Sequence, residues 1–310
     1  MQFLTDKHID FLGKKKIAAT ISMLLILAGV VSLIVKHGPL LSIDFRGGSI
    51  VELRITPAPE VSKVRSALAE GGIKVSQVTT FGGPQEVLIY VDKLDESEAV
   101  TGEHQTVQGV VAKALPDHQV ELRREETVGP KIGEELRKGA TNAIFVSLIL
   151  IVLYITFRFV FNFGLAAVLT LVHDVLITLG LFSLMNKEIS LSIVAAFLTI
   201  IGYSLNDTIV VFDRIRENMR LRRKESYEDV VNRSINETLS RTIITSLTTV
   251  FVAFILYLIG GAVIHDFAFA LTVGIVVGTY SSIYVSSPLV ILWYKWRSSD
   301  RKRGKRGALA

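Results

Sequence analysis

The sequence predicts an α-helical integral membrane protein with six transmembrane helices and one small α+β domain between helices 1 and 2. Three observations predict it. Half of the 310 residues are apolar, a fifth are charged and the mean hydropathy is +0.46, which is too apolar for an ordinary soluble domain. Several apolar stretches reach the roughly 20 residues that a helix needs to cross a bilayer core of about 30 Å. Between the first two of them, the chain turns polar and carries short alternating apolar runs instead.

The first span covers 16–35. Lys14, Lys15 and Lys16 precede it as they would a signal peptide, but no small-residue cleavage site follows Val35, so it reads as an uncleaved spanning helix. The other spans fall near 140–157, 163–185, 189–212, 240–259 and 266–293. Lysine and arginine in short flanks mark the cytoplasmic side. Lys7 joins the three lysines of the N-terminal flank, seven basic residues run from Arg214 to Arg233, and seven more run from Lys295 to Arg306 in the tail. The opposite short loops hold only Lys187.

Both termini are therefore expected in the cytoplasm. The expected plan is a cytoplasmic N-terminus with helix 1 over 1–36 and an extracytoplasmic α+β domain over 37–139. Helices 2–6 follow over 140–294, with a cytoplasmic loop at 213–239, and a basic cytoplasmic tail occupies 295–310. The net charge of +5 thus reports orientation in a lipid bilayer and not a nucleic-acid partner. The Arg301–Arg306 cluster reads as a disordered end that touches anionic lipid, or as a contact for a ribosome or another partner. With no cysteine, disulfides and thiolate metal sites are excluded. No repeat of twenty to fifty residues occurs, which excludes solenoids.

In the polar segment, strands are expected at Ser49–Ile55, Ile73–Phe81, Glu86–Val91 and Gln119–Glu125, with helices near 59–70 and 97–115. The order βαββαβ is that of ferredoxin-like domains. Gly71-Gly72 and Gly82-Gly83-Pro84 supply turns. Gly47-Gly48 reads as a tight entry turn, because no G-K-S/T follows to make a phosphate cradle.

The fourth span, IGYSLNDTIVVFDRIRE, carries Asn206 and Asp207 where a membrane helix should carry neither. An aspartate there costs about 2.5–3.5 kcal/mol on insertion scales, so it implies a protein partner, a water cavity or a proton path. Arg241 opens the fifth span at a comparable depth if helix rise is counted from Asp213 and Glu237. Thr245, Thr248 and Thr249 follow it at helical spacing, and Ser204 and Thr208 flank Asp207. Two readings stand: a buried ion pair that fixes packing, or a proton-coupling carboxylate with an arginine counter-charge.

His173 and Asp174, in mid-span three, likewise read either as a proton relay or as an interhelical hydrogen bond. Asp213 with Arg214 reads as a helix-end pair. His265 and Asp266 read as loop residues or proton-entry groups. Ala270, Gly274, Gly278, Ser282 and Ser286 place a small residue at every fourth position of the last span, which lets another helix approach closely. No nucleophile elbow, metal-ligand cluster or phosphate loop is present, so no classical catalytic site and no metal are expected.

Five strings carry a resemblance: IDFRGG at Ile43–Gly48, VGPKIGEELRKGA at Val128–Ala140, GYSLNDTIVVFDRIRE at Gly202–Glu217, SINETLSRTIITSLTT at Ser234–Thr249 and ALTVGIVVGTYSS at Ala270–Ser282. Together they make the chain similar to the SecF family of the SecD–SecF accessory complex in prokaryotic protein export. The resemblance implies a cell-membrane protein of the resistance-nodulation-division superfamily, in which two six-helix halves surround a proton path. It implies a SecD-like subunit, the SecYEG translocon and unfolded exported polypeptide as partners. Protons would be the coupling ion, with sodium left open, and no other cofactor is implied.

By position, Asp207 and Arg241 match the proton-coupling residues of the family, and His173–Asp174 agrees with its third helix. Asn206, Thr208 and Thr245 would support the site, and Gly274, Gly278 and Ser282 would serve helix packing. Two other classes compete with this reading: a small-molecule proton antiporter, against which the small outer domain argues, and a scaffold in which the charged residues are structural.

Overall fold

A computed structural model of the chain describes residues 9–81, 83–91, 107–158 and 161–307. After a short 3-10 turn at Leu12–Lys14 come α1 (Lys15–Val35), α2 (Ile43–Arg46), β1 (Gly48–Thr56), α3 (Val61–Glu70), β2 (Val75–Phe81) and β3 (Gly83–Val91). Then follow α4 (Val107–Ala114), β4 (Gln119–Val128), α5 (Pro130–Arg158), α6 (Phe161–Leu184) and α7 (Leu191–Leu221). The chain continues through α8 (Tyr227–Ile259), α9 (Gly261–Tyr284) and α10 (Ser286–Gly307). Among the described residues, six helical segments are long and apolar enough to cross a membrane, the last running through α9 and α10 over Ile264–Trp296. The contacts divide into an α+β unit, Leu41–Asn142 with Ile189–Leu191, and a helical unit made of the rest.

In the α+β unit the strands stand in the order β2-β3-β1-β4, all antiparallel, which is the ferredoxin-like arrangement that the βαββαβ pattern implies. Val51, Leu53 and Ile55 alternate inward on β1 and meet Val87 and Ile89 of β3, because strand side chains have a period of two. Val64 and Leu68 of α3 and Val111 of α4 close that core. Helix 97–115 is described from Val107 onward, and the remainder of that expectation, like Gly82, lies outside the described residues. Gly83 and Pro84 belong to β3 and not to the turn, since Gly83 pairs directly with Phe81.

Gly47 and Gly48 have φ of 76° and 126° and turn the chain from α2 into β1. A side chain at Gly48 would also stand 2.7 Å from the Val91 carbonyl oxygen, so the turn needs glycine for both conformation and space. Residues 189–191 join this unit: Ser42 N donates to the Ile189 carbonyl at 3.0 Å, and Leu191 N donates to the Asp44 carboxylate at 2.8 Å. Helix α7 therefore starts at Leu191 and not at 189.

In the helical unit α1 crosses α6 at Gly29 and Gly180, where an added Cβ on Gly29 would lie 2.6 Å from the Gly180 Cα. Close approach of backbones is what small residues permit in membrane helices. Helices α7 and α8 form an aligned antiparallel hairpin, tied by Tyr203–Thr249 at 3.3 Å, Asp207–Ser246 at 3.0 Å, Asn218–Ser234 at 3.0 Å and Arg214–Glu237 at 2.6 Å.

The expected loop at 213–239 is thus mostly helix. Its charges mark where the hairpin leaves the apolar phase, and they pair across it instead of ending it. Ser226 caps α8 by accepting from Asp229 N at 3.2 Å, and α7 and α8 are separated by only a few residues. Asp213 bonds Arg158 at 2.7 Å while Arg214 bonds Glu217 and Glu237, so each charge is taken by another partner. The expected Asp213–Arg214 pair does not form. Helix α5 likewise begins ten positions before the expected span, at Pro130, and α10 carries the basic tail as helix through Gly307 rather than as disordered chain.

Candidate functional site

Asp207 faces α8 from the middle of α7 and is only 2 % exposed. Its carboxylate accepts one side-chain hydrogen bond, from Ser246 Oγ at 3.0 Å. Thr208, next to Asp207 on α7, and Thr242, four residues before Ser246 on α8, are buried, and their hydroxyls have no hydrogen-bond partner among the described residues. This is unusual in the same bundle, where Thr170, Thr178, Thr238 and Thr279 each donate to the carbonyl four residues earlier. The result is a weakly tied carboxylate on helices that also carry uncommitted donors.

The structure does not bring Arg241 into contact with Asp207. Arg241 is exposed and makes no ion pair among the described residues, although its charge reaches the carboxylate through space. The reason is rotation. Ser246 follows Arg241 by five residues, which turns the side chains about 140° apart on a helix of 3.6 residues per turn. Thr245 is exposed too, and its hydroxyl is spent on the Arg241 and Thr242 carbonyls at 3.0 Å each. Asn206 lies on the exposed side of α7. Of the expected lining, Thr208 stays buried beside Asp207, whereas Asn206, Arg241 and Thr245 lie on the surface of this chain.

A second polar centre is built around Asp174 of α6, which is 1 % exposed. Ser204 of α7 and Ser281 of α9 donate to its Oδ2 at 2.5 and 2.8 Å, and His173 Nδ1 stands 2.8 Å from Oδ1. On the other side of the imidazole, Nε2 lies 2.9 Å from Ser22 Oγ of α1, which lies 3.1 Å from the Tyr280 hydroxyl of α9. Tyr280 in turn donates to the Ala18 carbonyl at 2.8 Å. Four helices meet in this one network.

Gly274 and Gly278 let α9 approach α7 here. A Cβ at Gly274 would fall 2.3 Å from Ile200 Cδ1, and one at Gly278 would fall 3.0 Å from Ser204 Cβ. Ser282 is buried one turn further on and donates to the Thr279 carbonyl at 2.9 Å. His265 and Asp266 are helical residues near the start of α9, and Lys187 neutralises Asp266 at 2.5 Å.

Comparison with known proteins places this geometry. The model for the C-terminal region of the protein-export membrane proteins SecD and SecF matches residues 108–296. Protein translocase subunit SecF of Magnetococcus marinus is 47 % identical over 94 % of this chain and 93 % of its own length. The chain belongs to the SecF family. SecF of Desulfurispirillum indicum is 45 % identical, covering 92 % of each chain. The crystal structure of SecDF from Thermus thermophilus, described as a translocon-associated membrane protein, superposes with a TM-score of 0.84 at 42 % identity over 95 % of this chain. This chain spans only 40 % of that SecDF chain. Family membership and the six helical segments make it a multi-pass membrane protein.

Sequence reasoning singled out both aspartates, yet it missed Ser22, Tyr280 and Ser281. No local signal marks them, because each finds its partner on a different helix. A hint existed in α1, whose buried positions Ala18, Ser22, Gly29 and Ser32 form a small and hydroxyl-bearing stripe inside an otherwise apolar helix.

Proposed function

We propose that the chain is the accessory export subunit that, with a SecD-like partner, couples the proton motive force to late steps of polypeptide translocation. Asp207 is the carboxylate that gains and loses the proton. The observation that carries this reading is its situation: buried in a membrane helix and, among the described residues, bonded to one serine and paired with no cation. A carboxylate kept for packing alone would be expected to carry a full set of donors, whereas among the described residues Asp207 accepts from Ser246 alone. One elementary charge crossing 100 mV yields about 2.3 kcal/mol, enough to bias two helix arrangements that differ in proton affinity.

The exposed placement of Arg241 and Asn206 supports a site completed by another subunit. Gly202 and Asn206 lie one turn apart on the same exposed side of α7, and Arg241 is exposed on α8. Polar groups left facing hydrocarbon are costly, so a second six-helix half is expected to cover them. That the matched SecDF chain is longer than this one accords with a partner supplying the remainder. Orientation follows the basic flanks, with both termini cytoplasmic and residues 37–139 outside. There the α+β unit would engage emerging polypeptide close to the SecYEG translocon. No classical catalytic chemistry is assigned to it.

The test is release of a translocating protein from energised membranes carrying Asp207→Asn. Release that no longer responds to the gradient is the expected result. Release at the normal rate under a full gradient would remove the proposal. The ion is settled by repeating the assay with proton and sodium gradients imposed separately, the first being expected to drive release.

A further inference from the structure

We propose that His173 and Asp174 form a second proton-binding site in the helical unit, holding one proton beyond a neutral imidazole and a carboxylate, and that this proton ties α1 and α9 to α6. Four contacts in a row fix where the hydrogens must lie. Tyr280 has one hydroxyl hydrogen, and the Ala18 carbonyl can only accept, so that hydrogen is spent there. The Ser22–Tyr280 contact must then use the hydrogen of Ser22. Ser22 therefore has none left for His173, and the Nε2 contact at 2.9 Å requires a hydrogen on the imidazole at Nε2.

The contact between His173 Nδ1 and Asp174 at 2.8 Å needs a further hydrogen, either on Nδ1 or on the carboxyl. A neutral imidazole with an ionised aspartate supplies only one hydrogen for these two contacts. All four are satisfied by an imidazolium beside a carboxylate, or by an Nε2-protonated imidazole beside a carboxylic acid. Both states contain the same additional proton. Without it, Ser22 must turn its hydrogen to Nε2, and the Ser22 and Tyr280 oxygens are left facing each other with no hydrogen between them.

Charge points the same way. With the extra proton the pair is neutral overall, whereas without it a net negative charge remains in a centre where both side chains are nine-tenths or more buried, and an unpaired buried charge is expensive. Among the described residues, no cationic side chain bonds to the pair to offset that charge. From α1 it meets Ser22, from α7 Ser204, and from α9 Ser281 and Tyr280, whose ring stacks on the imidazole at 6.3 Å between centroids. Tyr280 is the one titratable side chain among these contacts, and Asp207 on α7 bonds instead to Ser246 of α8.

The proton would therefore hold three helices in register: its loss severs either the α1–α9 or the α1–α6 link of Ser22. That this proton belongs to the export cycle rests on the function proposed above; that the pair holds it does not.

The full chain in lipid nanodiscs, with 15N-labelled histidine, provides the test. The His173 signals are assigned by their loss in His173→Asn, and the carboxyl band of Asp174 by its loss in Asp174→Asn. At neutral pH the expected result is either two protonated His173 nitrogens or a protonated Asp174, with the other partner carrying the complementary state. Tyr280→Phe frees the hydrogen of Ser22 for Nε2, so this variant should bind the proton about fivefold to tenfold more weakly, the worth of one net hydrogen bond. Ser22→Ala removes both of its contacts and should act in the same direction.

A singly protonated imidazole beside a carboxylate in the unmodified chain would overturn the proposal. So would identical proton binding in the unmodified chain and both variants, which is what a merely structural network gives. Asp207→Asn should leave the pair's protonation unchanged, and a change there would show one shared site instead of two. Because protonation is read without export, a failure here leaves the role of Asp207 standing, and a failure of that role leaves this result standing.

Discussion

Asp207 and Asp174 are both buried acids in apolar helices, but their surroundings assign them different work. Asp174 has two serine donors and an imidazole against its two oxygens, while Asp207 has Ser246 alone. Asp174→Ala strands those donors at once and should cost about 3–5 kcal/mol, the range for breaking a buried charged network. Chemical denaturation in detergent measures it, and Asp207→Ala should cost less in the same assay. Thr208 and Thr242 supply a second check, because their hydroxyls are buried without partners. Replacing both by valine removes unsatisfied polar groups and should leave the fold as stable as before or up to about 1–3 kcal/mol more stable. If those hydroxyls serve the proton path to Asp207, polypeptide release should slow severalfold in that same preparation. Asp207 was legible in the sequence because an acid in an apolar run needs a reason. The facing of Arg241 was not, since rotation about a helix axis depends on neighbours that no local pattern reveals.

At the scale of elements, the seam between α7 and α9 and the hairpin of α7 with α8 position both acids. Gly274 stands against Ile200 so closely that Gly274→Val should push α9 from α7, an overpacking cost of about 1–3 kcal/mol. Thermal unfolding should show the loss, and Ile200→Ala in the same chain should restore part of it, which two independent sites would not do. The small-residue ladder of the last span was visible in the sequence, although which helix it faced was not. The Gly29–Gly180 crossing is not legible in the sequence because neither glycine belongs to a ladder of small residues at every fourth position of its own helix. The four-stranded sheet was the most legible part, since alternation fixes strands and turn residues separate them. The α7–α8 hairpin was the least legible, because its charged stretch resembles a loop until the pairing of Arg214 with Glu237 and of Asn218 with Ser234 is seen.

The whole molecule presents more apolar surface than a lone bundle would keep from water. Leu247, Phe251 and Leu258 of α8 are each 63 % exposed, and only 6 % of the apolar window of α5 is buried. Lipid can cover those residues, whereas the exposed Arg241 and Asn206 call for protein. Arg241→Leu should therefore leave the isolated chain folded yet weaken co-purification with a SecD-like subunit, measured by pull-down from membranes at fixed detergent. The most direct measurement of the central claim is proton flux through the chain reconstituted with that subunit and the translocon, recorded with a pH-sensitive dye while a polypeptide is being exported. Asp207→Asn should abolish both the flux and the gradient-dependent release, with assembly intact. Flux and release at the unmodified rates in that variant would contradict the claim.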